Sequence, residues 1–158
     1  MFSKFLHIVW ILAFGIIFLT GCAQVVFEPK PLEAEARGIT IVRSTPYNCI
    51  ILGEIEGRDS KDRIKVNELK EVLSGVTQER LREGALNDLR NEAYYAVGEK
   101  KQQAMLYIIK EMAICDIYIQ GGGRKEMECP DILPKGHYNH GINSYIIRAG
   151  VYDCGERK

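Results

Sequence analysis

The first 22 residues constrain everything that follows them. Met1–Lys4 carries one positive charge, Phe5–Leu19 (FLHIVWILAFGIIFL) is an almost unbroken apolar run, and Leu19-Thr20-Gly21-Cys22 closes it. A helix of that length rises only about 22 Å, short of the roughly 20 residues needed to span a bilayer. A basic start, a short apolar stretch and small residues before a cleavage point instead predict a secretory signal peptide over residues 1–21. Charge excludes further classes. Lys+Arg 21 against Asp+Glu 21 gives no basic excess for nucleic acid, and 46% hydrophobic residues exclude wholesale disorder. The 158 residues allow one small domain.

The Leu-Thr-Gly-Cys tetrad resembles the bacterial lipobox, in which the chain is cut just before the cysteine and that cysteine is acylated. The resemblance implies lipidation at Cys22, with acyl chains enough for stable anchoring, since each buried methylene contributes about 0.8 kcal/mol. Ala23, rather than Asp, follows the cysteine, which by resemblance to enteric sorting rules implies the outer membrane, periplasmic side. Removal of residues 1–21 takes away one Lys and no acid, leaving a net charge of −1.

Four cysteines then remain, Cys49, Cys115, Cys129 and Cys154. Outside the cytoplasm they read as a disulfide framework with three connectivities open. Residues 22–38 are expected to be the lipidated cysteine and a tether, because Ala23–Arg37 mixes Pro29, Pro31 and alternating charge. The single domain is expected over 39–154, with 155–158 as a tail.

Within the domain, Ile39–Arg43 and Cys49–Glu56 read as two strands joined by a turn at Ser44–Asn48, with Gly57–Ser60 ending the second. Arg63–Leu73 has Val66, Leu69 and Val72/Leu73 at helical spacing, which predicts a short extra helix. The stripe Leu81, Ala85, Leu86, Leu89, Ala93, Ala96 and Val97 predicts one long amphipathic helix with Thr77 as its N-cap. Ala104–Ile109 and Ala113–Ile119 are two further strands, Met127–Asn143 is a polar excursion, and Ser144–Asp153 is a final strand. The fold class is α+β, a small, mostly antiparallel sheet carrying that helix.

Leu81–Ala93 (LREGALNDLRNEA), Leu52–Gly57 (LGEIEG) just after Cys49, and Gly150–Cys154 (GVYDC) together resemble the bacterial lipoprotein family of unknown function typified by YjeI, distantly related to the envelope stress sensor RcsF. The resemblance runs over roughly residues 32–154. It implies a small α+β domain in which Cys49 and Cys154 form the pair shared with smaller relatives, which leaves Cys115 with Cys129. The chain departs from the family at Gly98-Glu99-Lys100-Lys101 and in having the 115–129 segment.

Chemistry-bearing constellations are few. Cys129, His137 and His140 (C-x7-H-x2-H), with Asp131, have the ligand types for zinc or copper, but an oxidising compartment uses Cys129 better in a disulfide. Gly121–Gly123 lacks the Lys and Ser/Thr of a phosphate loop and reads as a turn. Glu54 and Glu56 share a strand face, where such pairs are usually solubilising. Only His137 and His140 remain after cleavage, and no Gly-x-Ser-x-Gly elbow presents a nucleophile. Asn87, Asp88, Arg90, Asn91 and Glu92 form the candidate interaction surface: Asn87, Arg90 and Asn91 share one helix face, and side chains of this kind either dock the helix or meet a partner. The sequence thus predicts a non-enzymatic outer-membrane lipoprotein without cofactor, acting as an envelope structural, interaction or stress-sensing module. Its partners are the membrane, through the N-terminal lipid, and an envelope protein; nucleic acid is not among them. Metal or small-ligand binding through residues 129–140, or a periplasmic hydrolase, are the alternatives.

Overall fold

Leu81, Ala85, Leu89 and Ala93 recur every four residues, and all four are fully buried. They form the sheet-facing stripe of the only α-helix among the described residues, α1 (Gln78–Ala96). The computed structural model describes residues 27–63, 75–98 and 104–155. Thr77 caps α1 as the sequence predicts: its hydroxyl accepts the Arg80 N–H at 3.2 Å. The short helix expected over Arg63–Leu73 falls almost wholly outside the described residues. Its first residue closes a 3-10 turn, Lys61–Arg63.

Among the described residues, five strands form one sheet: β1 (Thr40–Val42), β2 (Ile50–Ser60), β3 (Ala104–Ile119), β4 (Arg124–Glu128) and β5 (His137–Asp153). The order is β1-β3-β5-β2, with β4 pairing β3. This corrects the expected mostly antiparallel sheet to a mixed one, because β1 lies parallel to β3 with Thr40 opposite Met105. The two strands read as joined by a turn therefore stand on opposite edges. Asn48 supplies the positive φ of 56° that turns the chain into β2.

Other boundaries also move. β3 is one 16-residue strand rather than two, since a bulge at Ile109 absorbs the break in alternation. Gly57–Ser60 continues β2 instead of ending it. Gly57 lies beneath α1, where a Cβ would come within 2.4 Å of the Ala85 carbonyl oxygen and the Leu89 nitrogen. The polar excursion over 127–143 is about half sheet, with the loop confined to the residues between β4 and β5.

The helix covers one face of β2 and β5. Its stripe meets Leu106, Tyr145, Ile147, Ala149 and Val151, with Phe27 and Ile39 joining the same cluster. Both disulfides form, Cys49–Cys154 and Cys115–Cys129. That is the pairing the resemblance implies.

Candidate functional site

The second face of α1 holds the chain's own N-terminal segment. Gly84 leaves room for it: a Cβ there would lie 1.9 Å from Asp59 Oδ2 and 2.8 Å from the Lys30 nitrogen. Along that face the Asn87 amide donates to the Lys30 carbonyl at 2.8 Å, and the Asn91 amide donates to the Pro31 carbonyl at 3.1 Å. Asn91 Oδ1 in turn accepts the Glu33 N–H at 3.1 Å. An extended segment has no internal partners for its N–H and C=O groups, so side-chain amides satisfy them in place of a neighbouring strand. Tyr95 donates to Glu33 at 2.6 Å, which pushes its phenol above the ordinary range.

The start of the segment is fixed as firmly. Phe27 is fully buried, its carbonyl accepts from Arg80 at 2.7 Å, and the Arg63 guanidinium lies 5.5 Å from its ring centroid. Arg63 also donates to the Glu28 carbonyl. Asp59, fully buried, accepts the Lys30 N–H at 3.0 Å and pairs with Arg63 at 2.9 Å. The expected tether over 22–38 is thus corrected: from Phe27 onward it is packed structure, and residues 22–26, with the lipidation candidate Cys22, lie outside the described residues.

The candidate interaction residues divide accordingly. Asn87 and Asn91 hold the segment. Asp88 pairs with Lys30 at 2.8 Å and accepts the Arg58 N–H at 2.8 Å, capping an outward-facing donor of edge strand β2. Arg90 is half-buried, and its Nε has no hydrogen-bond partner among the described residues. Glu92 alone is exposed. Three of the five residues therefore serve docking rather than an open surface.

A second polar cluster lies where β2 gives way to the Lys61–Arg63 turn. Asp116 in β3, its side chain 1% exposed, is gripped by Lys61 and by both arms of a bidentate Arg124 at 2.9 and 2.8 Å. Burial pushes the Asp116 carboxyl up, but the hydrogen bonds from Lys61 and Arg124 outweigh it and hold the group below the ordinary carboxylate range. Arg124 is correspondingly raised by Asp116. On the helix side, Arg82 makes a bidentate pair with Glu111 at 2.6 and 2.7 Å, and Tyr145 donates to the same carboxylate at 2.8 Å. Glu111 is held low chiefly by Arg82, while Tyr145 is raised by its burial and by Glu111. Asn143, the extra residue of a bulge in β5, is 1% exposed, and its Oδ1 has no partner among the described residues. These acids are held by cations in ion pairs, an arrangement that fixes elements to one another.

The metal alternative loses its thiolate, because Cys129 is bonded to Cys115. His137 opens β5 with Nδ1 3.2 Å from the Lys135 carbonyl, His140 stands at a bulge position of the same strand, and Asp131 is exposed. No three His, Cys, Asp or Glu side chains among the described residues are placed to share a metal ion. Glu54 pairs with Arg148 at 2.8 Å across the sheet edge. Gly121–Gly123, all with positive φ, turn the β3–β4 hairpin.

Sequence reasoning missed Phe27, Asp59 and Asp116. Distance along the chain hides most of their partners, Arg80 for Phe27, Lys30 for Asp59 and Lys61 for Asp116, and only Arg63, four residues after Asp59, is a local mark. The small residue Gly84, inside an otherwise good helix former, was the one available signal that something approaches α1 closely. No family model, curated protein or solved structure matches the chain.

Proposed function

We propose that the chain is a non-enzymatic outer-membrane lipoprotein facing the periplasm, a YjeI-like structural, interaction or stress-sensing module that works by contact. The observation that carries this reading is the clamp: the residues just after Cys22 enter the domain at Phe27 and are fastened along α1 by Asn87, Asn91, Asp59 and Arg80. A domain that spends the polar face of its only described helix on gripping its own N-terminal segment is built to be held by that end. The lipobox resemblance supplies what holds it.

The surface left for an envelope partner is the opposite end, beside Cys49. There Tyr47 is 88%, Ile50 70% and Ile51 66% exposed. Apolar side chains gathered at one edge in this way mark an interaction site rather than scattered surface residues.

Metabolic palmitate labelling and detergent partitioning test the anchor. The native chain is expected to label and to partition with detergent, and Cys22→Ser to lose both. A Cys22→Ser chain that still labels and partitions overturns the lipoprotein reading. A photo-crosslinking residue at Ile51 in living cells is expected to give a discrete adduct that the same residue at Glu92 does not give.

A further inference from the structure

We infer that one end of this domain rests on the bilayer: the tip formed by the β3–β4 hairpin and the start of β5 lies in the lipid headgroup layer beside the anchor. This rests on lipidation of Cys22.

Strand directions place the tip. β2 and β3 both run antiparallel to β5, and Ser60, Ser144 and Ile114 stand at one level across the sheet. β2 stops there, whereas β3 continues to Ile119, paired with His137. At about 3.4 Å per residue, those five further residues carry the hairpin roughly 17 Å beyond the end of β2.

The anchor enters at the same end. Asp59 and Arg63, at the close of β2, hold Lys30 and cover Phe27, while Arg80 in the first turn of α1 holds the Phe27 carbonyl. Lys61, between them, reaches across to Asp116 on the strand that leads to the tip. From Cys22 to Phe27 there are five residues, which span at most about 17 Å when fully extended. That is the same length as the projection of the tip. A lipid on Cys22 therefore cannot hold Phe27 farther from the bilayer than the hairpin already extends, and the tip meets the headgroups.

The tip has the composition of an interfacial surface. Tyr118 is 42%, Ile119 38% and Tyr138 58% exposed, with Gly121–Gly123 at the turn. Tyrosine is suited to the boundary because its ring is apolar and its hydroxyl polar, so that headgroup hydration is kept while the ring leaves water. Over 118–138 the cations Arg124, Lys125 and Lys135 balance the acids Glu126, Glu128 and Asp131. The contact is accordingly apolar and interfacial, and does not depend on anionic lipid.

The test uses the full lipidated protein in phosphatidylethanolamine/phosphatidylglycerol vesicles carrying a nitroxide-labelled lipid. The chain has one Trp, Trp10, within residues 1–21. Each introduced Trp is therefore the sole tryptophan once that segment is removed, and is excited selectively at wavelengths the tyrosines do not absorb. Tyr138→Trp and Ile119→Trp report the tip; Tyr47→Trp and Ile51→Trp report the far end. All four positions are exposed, and two probes per end guard against one variant misfolding. Quenching at the tip is expected to be at least about twofold that at the far end, because interfacial groups sit within roughly 10 Å of the acyl boundary and the far end lies about 50 Å along the sheet. Equal quenching at both ends, or stronger quenching at the far end, in protein that does carry palmitate overturns the inference and leaves the anchor standing. Absence of palmitate removes the anchor, and the inference with it.

Discussion

Asp116 shows what a single buried charge does in this molecule. Its carboxylate gives the Lys61–Arg63 turn and the β3–β4 hairpin a common partner, through Lys61 on one side and Arg124 on the other. Both Asp116 and Glu111 are held below the ordinary range, so at acidic pH the folded state binds fewer protons than the unfolded chain. Their contribution is fully present above the unfolded carboxylate pKa of about 4 and is lost as pH falls through the lower folded values. The expected outcome is a melting temperature that drops steeply below pH 4. Asp116→Asn with Glu111→Gln should flatten that acid limb while lowering stability at pH 7 by about 1–3 kcal/mol for each carboxylate lost to its hydrogen-bonded partners. Thermal melts across pH 2–7 check it; an unchanged acid limb would show that other carboxylates set the acid stability. None of this is legible around Asp116 itself, which sits in an apolar strand pattern (AICDIYI), because the charges that justify its burial come from Lys61 and Arg124.

At the scale of elements, α1 was readable because its stripe and its N-cap are local: every contact that makes it a helix lies within four residues. The N-terminal segment was not. Pro29, Pro31 and alternating charge describe a chain without internal periodicity, and such a chain is equally a free linker or a strap satisfied by someone else's side chains. Asn87 and Asn91 settle which, and their spacing in the sequence only marked a common face. Gly57 is the parallel case in the sheet. A glycine before Arg-Asp-Ser reads as a strand end, whereas here it is the point where helix and strand touch. Gly57→Ala is expected to destabilise by about 3 kcal/mol, the upper part of the range for overpacking, because the clash is with helix backbone rather than with a side chain that can turn away. Gly53→Ala, where no atom lies within 4 Å, serves as the comparison for the general cost of losing a β2 glycine, including its positive φ of 148°. Urea denaturation separates the two; equal losses would mean that α1 shifts to accommodate the methyl group.

Across the whole molecule, topology was the least legible level, since β1 and β2 are adjacent in sequence yet occupy opposite edges of the sheet. Periodicity identifies strands but says nothing of which strand lies between two others, and β5, the last to be made, fills that place with β3. The sheet thus closes only when the C-terminal strand arrives, and the two disulfides constrain this step unequally. Cys49–Cys154 links residues 105 apart, tying the first residues of β2 to the end of β5, whereas Cys115–Cys129 links residues 14 apart around one hairpin. On chain-entropy grounds the long bridge is worth about 4.7 kcal/mol and the short one about 3. Packing pulls the other way: Cys115 is 4% exposed, so replacing it with Ala leaves a small cavity where its sulfur was, while Cys49 lies half-exposed at the sheet end. The entropy difference of about 1.7 kcal/mol exceeds the roughly 1 kcal/mol that a cavity of about methyl size costs. Cys49→Ala with Cys154→Ala is therefore expected to lower the denaturation midpoint more than Cys115→Ala with Cys129→Ala. Urea titrations of the two double variants decide it. The reverse order would mean that the unfolded chain already holds β2 near β5, so that the long bridge has little disorder left to remove.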